Sequence, residues 1–131
     1  TLQTSYNLVD QNARYEVLPA AIEAGMGVIA KRPIANGAFG KSASPYSYAD
    51  AYWDRYKQIT LPDGAPEDGI GLALRFTLPN DAIDTAIVGT TKLENAKANI
   101  ETASAGPLPE VVVESLQSQF DELGADWNQQ T

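Results

Sequence analysis

Asp84-Thr85-Ala86-Ile87-Val88-Gly89-Thr90-Thr91-Lys92-Leu93-Glu94-Asn95 changes its periodicity halfway along. Asp84 to Val88 is made mostly of β-compatible residues with no polar break after Thr85, which reads as a short buried strand. At Gly89 the chain turns. From Leu93 onward Leu93, Ala96, Ile100 and Ala103 form the apolar stripe of a helix. Thr91 and Glu94 have capping-box spacing, which predicts that the helix starts at Thr91. A strand, a glycine, two small hydroxyl residues and a capped helix N-terminus together make a seat for an anion. The free N–H groups of the first turn point outward, the dipole favours negative charge, and no large side chain blocks approach. An ordinary strand-to-helix turn that holds nothing has the same residues, and the stretch alone leaves both readings open.

The 131 residues suffice for one modest domain with a core of its own. Hydrophobic content of 44% and charged content of 20% suit a soluble globular protein. No apolar run approaches the roughly 20 residues that span a bilayer, and the first residues lack a charged-then-apolar targeting pattern. A net charge of −8 argues against a general nucleic-acid or membrane-surface role, because no basic field exists to drive one. The chain has no cysteine, hence no disulfide framework, thiolate nucleophile or thiolate metal ligand, which fits a cytoplasmic location. It also has no histidine, the commonest general acid/base at neutral pH and the commonest zinc ligand. Chemistry by this chain alone would rest on carboxylates, lysine or tyrosine.

Working outward from the opening stretch, Leu2 to Asn7 reads as a strand with almost no lead-in, which suggests an element cut into from upstream. Asp10 to Arg14 reads as a polar turn, and Glu16 to Ala24 as a helix with Leu18 and Ile22, and with them Ala21, facing inward. Pro19 is tolerable there only in or near the first turn, and Gly25 suits the position just past the end. Gly27 to Pro33 is a buried strand ending in Lys31-Arg32, two adjacent cations of only nine in the chain. Ile34 to Tyr46 is a flexible loop containing Asn36-Gly37 and Phe39-Gly40. Tyr48, Tyr52, Tyr56 and Ile59 have helical spacing, with Trp53 beside them, and read as packing surface. Thr60 to Ala65 is a linker, and Pro66 suits the first position of a helix that carries Ile70, Ala73, Leu74 and Thr77 to Pro79. Gly106-Pro107 ends the helix of the opening stretch. A last helix over 109–124 places Val112, Leu116, Phe120 and Leu123 on one face, followed by a polar tail with Trp127.

Such alternation of strands and helices implies parallel strands with helical crossovers, and in these folds ligands gather at the carboxyl ends of the strands. Lys31-Arg32 and Gly89-Thr90-Thr91 both occupy such ends, so two independent anion-friendly features should share one face. That favours phosphate binding.

Gln3-Thr4-Ser5-Tyr6-Asn7, then Gly27 to Asn36, then Ile87-Val88-Gly89-Thr90-Thr91 through Asn99, and finally Gly106-Pro107-Leu108-Pro109 occur in an order that resembles the aldo-keto reductases. The match runs from the sixth barrel strand to the C-terminus, over residues 1–131 as one incomplete domain. The resemblance implies an α/β fold, the C-terminal portion of a (β/α)8 TIM barrel with about three parallel strands and flanking helices. It also implies hydride transfer between NADP(H), less often NAD(H), and carbonyls or alcohols. By resemblance, Gln3 would bond the nicotinamide carboxamide, and Lys31 stands where many members stack a tyrosine on that ring. Arg32, Pro33 and Ile34 would follow the pyrophosphate, and Gly89, Thr90 and Thr91 the adenosine phosphates. Asn95 would lie near the 2′-phosphate, where many members carry a charged or amide side chain, and Asn99 near the adenine. Lys31 cannot stack as tyrosine does, and Asn95 brings no charge, so the choice between NADP and NAD is open.

The family's catalytic aspartate, tyrosine, lysine and histidine come from the first four strands, and none has an assignable counterpart here. A whole barrel takes about 250 residues and eight strands. The chain is therefore expected to be the cofactor-binding portion of such an enzyme and inactive alone. The competing expectation is a half-barrel acting as an assembly or interaction module. Unpaired outer strands would be relieved in a longer enzyme, by an N-terminal barrel fragment, or by self-association.

Overall fold

The computed structural model describes residues 1–130. Three strands, β1 (Leu2–Ser5), β2 (Val28–Lys31) and β3 (Thr85–Ile87), form one parallel sheet in the order β1-β2-β3. Five α-helices accompany them: α1 (Val17–Glu23), α2 (Asp50–Tyr56), α3 (Gly69–Thr77), α4 (Leu93–Ser104) and α5 (Glu110–Leu123). The α/β class, the parallel sheet and the strand positions are as the sequence predicts.

Local chemistry explains the boundaries. After α1, Gly25 adopts φ 63. Met26 N–H donates to Ala21 C=O, and Gly25 N–H to Ile22 C=O, the paired bonds of a Schellman end. Helix α3 starts later than Pro66 suggests, because Asp68 caps it with both carboxylate oxygens, accepting from Ile70 N and Gly71 N. Gly106 (φ 82) separates α4 from α5, and Arg75 fastens that link by donating to the Gly106 and Pro107 carbonyls.

The register pairs Thr4 with Ala30 and Ala30 with Ala86, while Gln3, Ile29 and Thr85 share the adjacent row. Thr4, Val28 and Ala30 are buried on the helix-covered side. Gln3, Thr85 and Ile87 are exposed on the other. The core gathers Tyr6, Leu8, Val9, Leu72, Phe76, Val112 and Leu116. Helix α3 is its centre, buried on nearly every side.

Three expectations need correcting. Strand β3 is not buried: it pairs only with β2, and Ile87 is 52% exposed. The stripe on α4 does not face the core, for Leu93 and Ile100 are 65% and 67% exposed and the helix buries no residue. In α1 it is Leu18 and Ala21 that point inward while Ile22 lies outside. Residues 10–14 form a polar turn as expected, with a 3-10 turn over Asn12–Arg14, and Asp10 and Gln11 in it are fully buried.

Candidate functional site

Strand ends β2 and β3 open into a cleft of about 920 Å³, walled by the loop after β2, the start of α3, the turn after β3 and one face of α4. Its lining includes Lys31, Arg32, Pro33, Ile34, Gly89, Thr90, Asn95 and Asn99. Eight of the ten residues singled out in the sequence thus meet around one space. Gln3 stands apart on the uncovered face of β1, and Thr91 is exposed outside the cleft wall.

The charge of the cleft opposes that of the chain. Lys31, Arg32 and Lys41 line it against Glu67 and Asp68, three cations to two carboxylates, where the chain as a whole carries −8. Asp68 is moreover occupied by the amide groups of α3. An anion would meet a locally favourable potential. The volume lies in the upper part of the roughly 300–1,000 Å³ of small-molecule sites.

The turn after β3 differs from its predicted form. Helix α4 has Lys92 at its N-cap with no side-chain cap, so the Thr91–Glu94 box does not form. Thr90 makes a local bond instead, its Oγ1 accepting from Lys92 N at 3.2 Å, a short-range turn of the kind threonine favours. Among the described residues, no side chain caps the first turn of α4. A Cβ on Gly89 would meet nothing within 4 Å, so the turn stands clear for a ligand to approach. Asn95 and Asn99, one turn apart, continue this wall along α4. These features fit a group with phosphates at the turn and a planar base farther along.

Loop geometry after β2 is strained. Arg32, Ala35 and Asn36 have φ of 57, 49 and 54, left-handed values that cost non-glycine residues energy. Asn7, buried just past β1, donates from Nδ2 to the Arg32 carbonyl at 3.0 Å. Tyr46 and Tyr48, exposed and stacked with centroids 5.1 Å apart, form the outer lip. Tyr48 therefore leaves the packing stripe to which Tyr52 and Tyr56 belong; Tyr56 meets Phe39 at 4.8 Å.

Behind the cleft lies a buried polar cluster that the pattern of residues did not reveal. Asp10 Oδ2 accepts from the Tyr52 hydroxyl at 3.1 Å and from Gln130 N at 3.0 Å. Burial raises the Asp10 pKa, offset by those hydrogen bonds and by the charges of Arg55 and Arg32. Burial and then the Asp10 charge push Tyr52 up to about 12. Arg55 donates to the Val9 and Asn128 carbonyls, and burial lowers its pKa. The tail is drawn in by this cluster. Gln129 Nε2 donates to Thr4 Oγ1 at 2.7 Å, and Ser5 Oγ donates to Gln130 O at 2.6 Å. The one hint in the sequence is that Asn7 and Asp10 bracket the apolar pair Leu8-Val9, which no solvated turn would need.

Among the described residues no group of histidine, cysteine, aspartate and glutamate side chains could hold a metal ion. Among the same residues no helix is long and apolar enough to cross a membrane.

Comparison with known proteins places the chain. The model of the Aldo/keto reductase family matches residues 1–120. An uncharacterized oxidoreductase of Bacillus subtilis (strain 168), YrpG, is 27% identical over 114 residues, covering 77% of this chain and 34% of that protein. An aldo-keto reductase of Bacillus halodurans superposes in its holo form with a TM-score of 0.66 at 25% identity, and in its apo form with 0.67 at 25%. These matches cover 89% of this chain but 41% and 42% of those chains. The chain thus spans well under half the length of the proteins it resembles.

Proposed function

The chain belongs to the aldo/keto reductase family, and from that membership we propose that it forms the dinucleotide-binding part of an oxidoreductase using NADP(H) or NAD(H). The observation that carries the reading is the cleft, where Lys31, Arg32, Gly89, Thr90, Asn95 and Asn99 converge around a locally cationic space. Lys31 and the Arg32-Pro33-Ile34 loop would hold the nicotinamide half and the pyrophosphate. Gly89, Thr90 and Thr91 would take the adenosine phosphates, with Asn95 near the ribose and Asn99 near the adenine. Gln3, on the open sheet face, would reach the carboxamide. When bound, the nicotinamide supplies or accepts the hydride exchanged with a carbonyl or alcohol. This chain's residues bind and orient it. Proton transfer is assigned to none of them, since no counterpart of the family's catalytic aspartate, tyrosine, lysine and histidine is assignable among residues 1–131.

We further propose that residues 1–131 make up one incomplete barrel domain, with the helix over 109–124 closing its end, which works in the cytoplasm. Titration of the chain with NADPH, followed by Trp53 and Trp127 fluorescence, tests the cofactor reading. Saturable quenching is expected, and its absence at millimolar cofactor would remove the reading for the chain alone.

A second reading has its own observation. The sheet leaves one face uncovered and both outer edges unpaired. An assembly role, through an N-terminal barrel fragment or a second copy, would use those surfaces, and light scattering separates it from the first.

A further inference from the structure

We propose that Asn7 is a positioning residue for the loop Arg32-Pro33-Ile34, an inference that rests on the dinucleotide reading of the cleft. Asn7 is fully buried and does not line the cleft, so whatever it does there it does through its neighbours. Its Nδ2 donates to Arg32 O at 3.0 Å, and its Oδ1 accepts from Val9 N at 3.0 Å. Its backbone exchanges two hydrogen bonds with Asp10, each 3.1 Å. The side chain therefore sits in a rigid bracket just past β1 and reaches across to the residue after β2.

The need for such a bracket lies in the chemistry of the Arg32–Pro33 peptide. Proline has no N–H, so this peptide offers nothing on its nitrogen side by which to hold it. Its orientation depends on the carbonyl alone. That oxygen accepts from Ala35 N at 2.9 Å within the turn and from Asn7 Nδ2 across the strands. Both lone pairs are then used. Arg32 meanwhile holds φ 57, which an arginine keeps only where its surroundings over-determine it. Asn7 supplies the constraint from outside the loop on the Arg32 carbonyl, beside the contact of the Arg32 side chain with Ser5 Oγ at 3.5 Å. Without it the peptide can rotate out of the left-handed turn, and the Lys31, Arg32 and Ile34 side chains leave their places around the cleft together.

The test uses the 131-residue chain with Asn7→Asp and Asn7→Ala. The first keeps an acceptor for Val9 N but sets a carboxylate against the Arg32 carbonyl; the second removes both bonds without adding charge. NADPH affinity, amide exchange and thermal midpoint are measured together. The dissociation constant for NADPH should rise roughly tenfold in each variant, the effect of losing one buried hydrogen bond. Exchange at Ala35 and Gly37 should accelerate while the β1–β2 ladder keeps its protection. A lowered thermal midpoint with affinity and loop exchange unchanged would make Asn7 merely structural and overturn the inference. Should the unmutated chain fail to bind NADPH, the cofactor reading falls instead, and loop exchange in the variants still decides whether Asn7 holds the turn.

Discussion

Tyr52 lets a single side chain be followed by pH. Its hydroxyl is almost wholly withdrawn from water and donates to Asp10, and its pKa moves from 10.0 to about 12. The folded state thus keeps a proton that the unfolded state loses. Stability is unaffected below pH 10 and falls as pH rises from 10 towards 12. At about 1.4 kcal/mol per unit, the loss reaches up to about 3 kcal/mol. Tyr52→Phe should flatten that alkaline slope in urea-unfolding midpoints taken between pH 8 and 12, and a slope identical to that of the unmutated chain would contradict the assignment. Asp10 has the same sign at the acid end: its raised pKa means that ionisation above about pH 4 costs the fold stability, which Asp10→Asn should recover in part. At the mouth of the cleft, Asn95 is exposed and uncharged. Asn95→Arg should add a charge-assisted contact to a 2′-phosphate and raise the preference for NADP over NAD roughly tenfold. Equal shifts in the two dissociation constants would remove Asn95 from that end of the site.

Among the elements, α3 carries the core and depends on its cap. Asp68 satisfies two amide donors at once, so Asp68→Ala should cost about 1 kcal/mol in denaturant unfolding. Gly69, next to it, has no room for a side chain, since a Cβ would lie 2.5 Å from Phe39 O. Gly69→Ala should therefore destabilise more than loss of the cap. The elements also show how far residue pattern reaches. Strands β1, β2 and β3, the Gly25 helix end and the Gly106-Pro107 break were legible because each rests on a local rule of propensity or φ. The Thr91 cap was not, because its spacing to Glu94 shows only that a box can form, whereas the chain turns at Thr90, whose Oγ1 accepts from Lys92 N, and starts the helix one residue later. Nor was the burial of Asp10 and Gln11, which depends on a tail 120 residues away in the case of Asp10 and on Leu116 in the case of Gln11. That Lys31, Arg32, Pro33, Ile34, Gly89, Thr90, Asn95 and Asn99 share one space was legible from their family resemblance and order, whereas the places of Asn7, Lys41 and Tyr46 required the tertiary structure.

At the scale of the whole molecule the apolar pattern and the fold disagree in one consistent direction. Leu93 and Ile100 on α4 and Ile87 on β3 read as core residues and are more than half exposed. Ile87 belongs to the last strand and Leu93 and Ile100 to the helix that follows it, and among the described residues the outer edges of β1 and β3 carry backbone N–H and C=O groups with no strand to meet them. Eight strands close a barrel and abolish its edges, whereas three leave two edges open. An aqueous chain with open edges and apolar flanks gains free energy by pairing them. The 131-residue chain, 14.0 kDa as a monomer, should therefore associate as its concentration rises through the micromolar range, as read by sedimentation equilibrium. Ile87→Lys puts a charge on the β3 edge without touching the covered face of the sheet, and should shift the chain back towards monomer. NADPH affinity measured on both sides of that shift distinguishes the two roles of these surfaces. If the cleft binds cofactor equally well in monomer and oligomer, pairing only shelters the edges. If binding appears only on association, the site needs the neighbouring strands to hold its shape. A chain that remains monomeric at every concentration would show that the exposed residues on α4 and β3 are tolerated without a partner.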